Sequence, residues 1–91
     1  MIRSAIYTGQ FKRDVKLAGK RGKDMGKLRA VISLLLARQP LPRELCDHPL
    51  KGEWKPSRDL HIEPDWLLIY SIDGEVVRFE RTGTHADLFG N

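Results

Sequence analysis

The sequence predicts an α+β domain in the order β-α-α-β-β-β: an N-terminal strand, a two-helix hairpin packed on a mainly antiparallel twisted sheet, and a short C-terminal helical turn. Three patterns predict it. Apolar residues recur at spacings of three and four between residues 11 and 35. The period changes to two over residues 58–63. A turn-forming Asp73-Gly74 pair then separates two strand-like runs. Periods of 3.6 and 2 are the two geometries in which one face of an element is buried.

Residues 2–8 contain Ile2, Ile6 and Tyr7 and predict a weakly patterned first strand, broken by Gly9. The first helix is expected over about residues 10–20, with Phe11, Val15 and Ala18 on one face and Gly22 as its stop. Asp24 is placed to cap the second helix, because its carboxylate accepts from the free N–H groups of the first turn. Met25, Leu28, Ile32 and Leu35 form that helix's stripe, and Pro40 and Pro42 end it. In residues 58–63, Leu60 and Ile62 alternate with Asp59, His61 and Glu63, so His61 is expected on a polar face. Residues 67–72 are a nearly continuous apolar strand. Asp73-Gly74 predicts a type I′ hairpin, and residues 75–81 the return strand with Val77 and Phe79 on one side. Residues 82–91 suffice for a helical turn. Helices on one face would leave the other sheet face open, with His61 pointing there.

At 91 residues the chain is expected to be one domain, 1–91. With 41% hydrophobic and 31% charged residues it falls in the globular class, not the disordered one. A single cysteine, Cys46, excludes an internal disulfide and fits a reducing compartment. The longest apolar run, residues 31–37, is too short to span a bilayer, so a cytoplasmic protein with no membrane partner is expected. Charge is unevenly distributed. Residues 12–29 carry Lys12, Arg13, Lys16, Lys20, Arg21, Lys23, Lys27 and Arg29 against Asp14 and Asp24, a local charge of +6, while the remainder is net −2. Such a field attracts a polyanion, although a basic run taken alone fits a solvated helix surface better.

The residues richest in chemistry are three histidines beside acids or aromatics: Asp47-His48-Pro49, His61 to Trp66, and Thr84-His85. Imidazole changes charge near neutral pH. Cleaving RNA by attack of its own 2′-hydroxyl needs a base, an acid and a cation for the phosphorane, with no metal or other cofactor. His48, His61, His85 and Asp65 are the candidates for proton transfer, and Arg81 and Lys51 for the phosphate. Each also has a structural reading: His48 as a loop residue, His61 as a solvated strand residue, Asp65 as a turn former, Trp66 and Phe89 as packing. A Cys/His zinc site from Cys46, His48, His61 and His85 is the rival, but its ligand spacing is unlike a zinc finger's.

The blocks Asp47-His48-Pro49-Leu50, Arg58 to Tyr70 and Arg78 to His85, together with Asp14 to Ala18 and Lys23 to Leu28, closely resemble YafQ-type toxins, mRNA interferases of the RelE/ParE-like superfamily. The resemblance covers almost the whole chain. It implies a RelE-like toxin domain of a type II toxin-antitoxin system. It also implies a ribosome-dependent endoribonuclease acting on mRNA, monomeric when free and hetero-oligomeric with a cognate antitoxin that blocks its site. The family's catalytic set maps onto His48, His61, Asp65 and His85. Trp66 and Phe89 match further active-site positions, and Arg81 lies at the matching strand end. The basic helices would face ribosomal RNA. The alternative within the superfamily is a ParE-like toxin that poisons gyrase by binding alone; the histidines argue against it.

Overall fold

A computed structural model describes residues 2–90; Met1 and Asn91, and with them the two ends of the expected 1–91 domain, lie outside the described residues. Strand β1 (Ser4–Tyr7) leads into helices α1 (Gly9–Lys20) and α2 (Met25–Leu36). A short edge strand β2 (His48–Pro49) follows, then β3 (Arg58–Glu63), β4 (Trp66–Asp73), β5 (Val76–Gly83) and helix α3 (His85–Phe89). The sheet order is β1-β5-β4-β3-β2, with β1 parallel to β5 and every other pair antiparallel. The α+β layout read from the sequence is the one observed.

The local signals explain most boundaries. Gly9 does not break the first strand; it opens α1, because the Thr8 hydroxyl caps the helix by accepting the Phe11 N–H at 2.9 Å. Asp24 caps α2 as expected, accepting from the Gly26 N–H at 3.0 Å. α2 stops at Leu36, short of the prolines, and Arg38 follows with φ +59°. The hairpin differs by one residue from the expected turn. Asp73 pairs with Val76, so Gly74 and Glu75 form the loop, and only Gly74 has positive φ (+59°). That is the II′ pattern, in which the glycine sits first.

β4 is buried on both faces, which is why its sequence shows no alternation. Trp66, Leu68 and Tyr70 join Phe11, Ala18, Leu28, Val31, Leu35 and Phe79 in the core beneath the helices. Leu67 and Ile69 face the other way. That second face was expected to be open, and the structure corrects this. Leu88 of α3 is buried against Leu67 and Ile69, and Leu50, Trp54 and Phe89 close over them. A short C-terminal helix and the loop after β2 thus act as a partial lid on the sheet, leaving the end nearest His61 accessible.

Candidate active site

The register places the three histidines together. His48 pairs with Asp59 and His61 with Leu67, and paired residues on neighbouring strands point to the same side. Both therefore project from the face away from α1 and α2. α3 begins with His85 on that side. The ring centroids of His48 and His61 lie 6.3 Å apart, and those of His61 and His85 5.6 Å. His61 is the middle member of a row of three imidazoles. An open groove of about 480 Å³ borders it, lined by Glu44, Leu45, Cys46, Ile62 and Pro64.

Each outer histidine is held by an acid. Asp65 accepts both the His85 backbone N–H at 2.9 Å and its Nδ1–H at 2.6 Å. These two bonds, the backbone one first, hold the Asp65 carboxyl below its usual range. An ionised carboxylate only accepts, so the ring proton sits on Nδ1 and Nε2 is left for exchange. His48 Nδ1 donates to the Cys46 carbonyl at 2.9 Å, and its Nε2 lies 2.9 Å from Asp59 Oδ1. Asp59 is buried at 3% exposure, and its Oδ1 receives no well-directed hydrogen bond. Burial pushes its carboxyl up, against the opposing pull of His48, His61 and His85. With Nδ1 donating to Cys46, Nε2 lies within ion-pair distance of Oδ1 but is not aligned with it as a hydrogen bond. Alternation placed Asp59 on a polar face, so sequence reasoning missed it. Its signal was its position two residues before His61.

The other expected site residues divide. Lys51 is exposed on the loop that also carries Trp54. Phe89 meets Trp54 edge to face at 5.7 Å on the histidine side of the sheet, and Trp54 is a residue that composition did not single out. Two expected residues are engaged elsewhere. Trp66, expected at the substrate, is 1% exposed in the helix-side core, with its indole N–H donating to Thr82 Oγ1 at 2.9 Å. Arg81, expected at the phosphate, turns to α1 instead: its Nε and Nη2 hold Asp14 at 3.0 Å each, and Asp14 also accepts the Thr82 N–H. A buried carboxylate at the uncovered edge of β5 needs that fork. Cys46 does not face a ligand cluster; its thiol donates to the Glu44 carbonyl at 3.6 Å. Among the described residues no group of three or more His, Cys, Asp or Glu is arranged to hold a metal ion. No described helix is long and apolar enough to cross a membrane.

The basic hairpin reaches the edge of this site. Lys23 and Lys27 bind Glu63 at 3.3 and 3.0 Å, and Arg21 binds Asp87 at 2.6 Å. Lys12, Arg13, Lys16, Lys20 and Arg29 are exposed and have no carboxylate partner among the described residues. The single basic stretch therefore splits into three residues that tie the hairpin to the site and five that remain available to a polyanion.

α3 is too short to persist alone, so its anchors decide where His85 sits. Thr84 and Asp87 form a capping box, each side chain accepting the other's backbone N–H at 3.0 Å. Gly83 passes so close that a Cβ there would lie 2.9 Å from Asp87 Oδ2 and 3.0 Å from its Cβ. Gly83→Ala should therefore displace Asp87, loosen α3 and lower the melting temperature by several degrees, with a loss of activity that exceeds the loss of stability. Calorimetry beside a cleavage assay checks this.

The Arg21 guanidinium, then the Thr84 backbone N–H, hold the Asp87 carboxyl well below the usual carboxylate range. A carboxyl depressed on folding stabilises the fold fully above its unfolded value, and that stability disappears as pH falls through the folded value. Asp65 is depressed in the same direction. The melting-temperature gap between wild type and Asp87→Asn should thus be largest near neutral pH. It should narrow as pH drops below about 4, the ordinary carboxylate value. Thermal scans by circular dichroism at a series of pH values measure it.

Known proteins share this fold. A family model described as "Bacterial toxin of type II toxin-antitoxin system, YafQ" matches residues 3–90. The chain is 56% identical over 89 residues to the mRNA interferase toxin YafQ of Escherichia coli K12, spanning 97% of both chains. It is 38% identical over 87 residues to a putative toxin YafQ of Haemophilus influenzae, spanning 88% of this chain and 85% of that one. Its fold superposes on the crystal structure of the E. coli DinJ-YafQ toxin-antitoxin complex with a TM-score of 0.92 at 55% identity, covering 99% of this chain and all of the matched one. The chain belongs to the YafQ family of bacterial type II toxin-antitoxin toxins.

Proposed function

We propose that this protein is an endoribonuclease that cuts mRNA on the ribosome, by metal-independent acid–base catalysis with the 2′-hydroxyl as nucleophile. The observation that carries this reading is the row of three imidazoles with its outer members tied to Asp65 and Asp59. Transesterification of RNA needs two proton-transfer groups about one phosphate, and the row offers three imidazoles for the task. Two of them, His85 with its free Nε2 among them, take the 2′-proton and protonate the departing 5′-oxygen, while the third meets the charge that develops on the phosphorane. Phe89 and Trp54 offer apolar faces to a neighbouring unstacked base, and Lys51 offers a cation to the chain. The exposed lysines and arginines of α1 and α2 suit ribosomal RNA, whose phosphates they would meet with a steep salt dependence.

The partner that restrains such an activity is a cognate antitoxin, a reading supported by the E. coli DinJ-YafQ complex. Free toxin is read as a monomer in the cytoplasm, and the complex as a hetero-oligomer. The test is to induce wild type and His85→Ala in cells and map mRNA 5′ ends by primer extension. New ends inside translated codons, present in wild type and absent in the variant, are expected. Growth arrest without new ends, equal in both, would refute the nuclease reading and favour a toxin that acts by binding.

A further inference from the structure

A second polar cluster lies on the opposite face of the sheet, behind His48. Asp47 accepts the Tyr70 hydroxyl on Oδ1, and on Oδ2 it accepts Arg58 Nε at 3.2 Å and Nη2 at 2.7 Å. Tyr70 is 1% exposed and belongs to the helix-side core, so its hydroxyl is a fixed point of the fold. Nothing in the chemistry assigned to the site uses these three residues.

Their place in the chain gives them a consequence. Asp47 lies between Cys46, whose carbonyl accepts the His48 Nδ1–H, and His48 itself. Cys46 adopts φ +53°, a conformation a side-chain-bearing residue keeps only when its surroundings hold it. β2 is too short to do so alone: it has two residues, paired with Asp59 and Arg58 at the sheet edge. Two-residue edge pairs are weak, so the position of this segment rests on side chains. Asp47 reaches through to the helix side while His48 projects to the other, and the sheet is clamped between them.

We propose that Asp47, Arg58 and Tyr70 form a positioning device that acts through the Cys46–His48 backbone and keeps the His48 proton on Nδ1, with Nε2 toward Asp59. None of the three touches the reacting atoms. Loosening the clamp moves the Cys46 carbonyl, and His48 then loses the partner that selects its tautomer. The neighbours that share this electrostatic environment are Asp59, His61 and, through Asp59, His85 on the histidine side. On the clamp side they are Asp47 and Arg58 themselves. This inference rests on the catalytic role given to His48 above for its functional meaning, but its structural content is separate.

Tyr70→Phe removes one hydroxyl and keeps the ring that fills the core; Arg58→Lys leaves the core untouched and breaks the fork. In each, the ¹⁵N shifts of the imidazole nitrogens are read in labelled protein, beside the single-turnover cleavage rate on programmed ribosomes. In wild type His48 should show a protonated Nδ1. In both variants it should become a mixture of tautomers while the His85 signals stay in place. The cleavage rate should fall about tenfold or more, part of the 10²–10⁴ that a placed acid or base supplies, with unchanged half-saturation. His48 shifts identical to wild type in both variants would overturn the proposal whatever the rates do. Altered shifts in a protein whose wild type cuts no RNA would leave the clamp standing and remove the nuclease reading instead.

Discussion

His85→Ala should cut RNA about 10²–10⁴-fold more slowly than wild type, the contribution of one placed acid or base. Its fold should be nearly intact, because the variant keeps the backbone N–H that donates to Asp65 at 2.9 Å and the Thr84–Asp87 capping box of α3. Only the imidazole and its 2.6 Å bond to Asp65 are lost. That bond lies at the surface, where a hydrogen bond to a charged group adds little net stability, so the melting temperature should shift by a few degrees at most. Single-turnover cleavage on programmed ribosomes, with a thermal scan of the same preparation, makes the measurement. A variant that cuts at the wild-type rate would remove His85 from the reaction. A variant that is inactive because it is unfolded would show itself in the scan.

Trp66→Ala should produce a large loss of stability. Truncating a fully buried tryptophan costs about 3–5 kcal/mol, a large part of the about 5–15 kcal/mol that holds a typical domain folded. Thr82 Oγ1 would also lose its indole donor while remaining bonded to the Leu67 carbonyl. Trp66→Phe keeps most of the volume and should lose less, with cleavage kinetics close to wild type. Urea denaturation of the three proteins separates the two roles open to this residue. A tryptophan in the core lowers the midpoint and leaves substrate affinity alone. A tryptophan that stacks on a base would do the reverse, weakening substrate affinity in Trp66→Phe at an unchanged midpoint.

The elements legible in the sequence are those whose cause is local. Asp24 caps α2 through the residue two positions on, and the alternation over Arg58–Glu63 reflects the pleat of a single strand. What escaped depends on distant partners. β2 consists of two residues whose strand character comes only from β3 beside them. Arg81 was read as free for phosphate because its partner, Asp14, lies across the fold on α1. The irregular pairing between Ile69 and Tyr70, where β5 has an extra residue, leaves no mark in the residue pattern. Asp59 was read as solvated because alternation reports which face a side chain takes, and not whether a loop and a short helix later cover that face. The candidate site shows the same division. His48, His61 and His85 declared themselves by residue type, while the acid beside His48 was visible only once its burial was.

The parallel pairing of β1 with β5 has a consequence for the order in which the molecule assembles. Ser4 meets Val76, a contact that closes a loop of roughly seventy residues and carries the entropic cost of one that long. The strands β3, β4 and β5 instead join neighbours across tight turns, and these carry two of the three histidines' supports, Asp59 and Asp65, within or between them. Contacts near in sequence form before contacts that are far apart. That ordering predicts that substitutions in β3, β4 and β5, which frame the imidazole row, slow folding, while substitutions in β1 mainly speed unfolding.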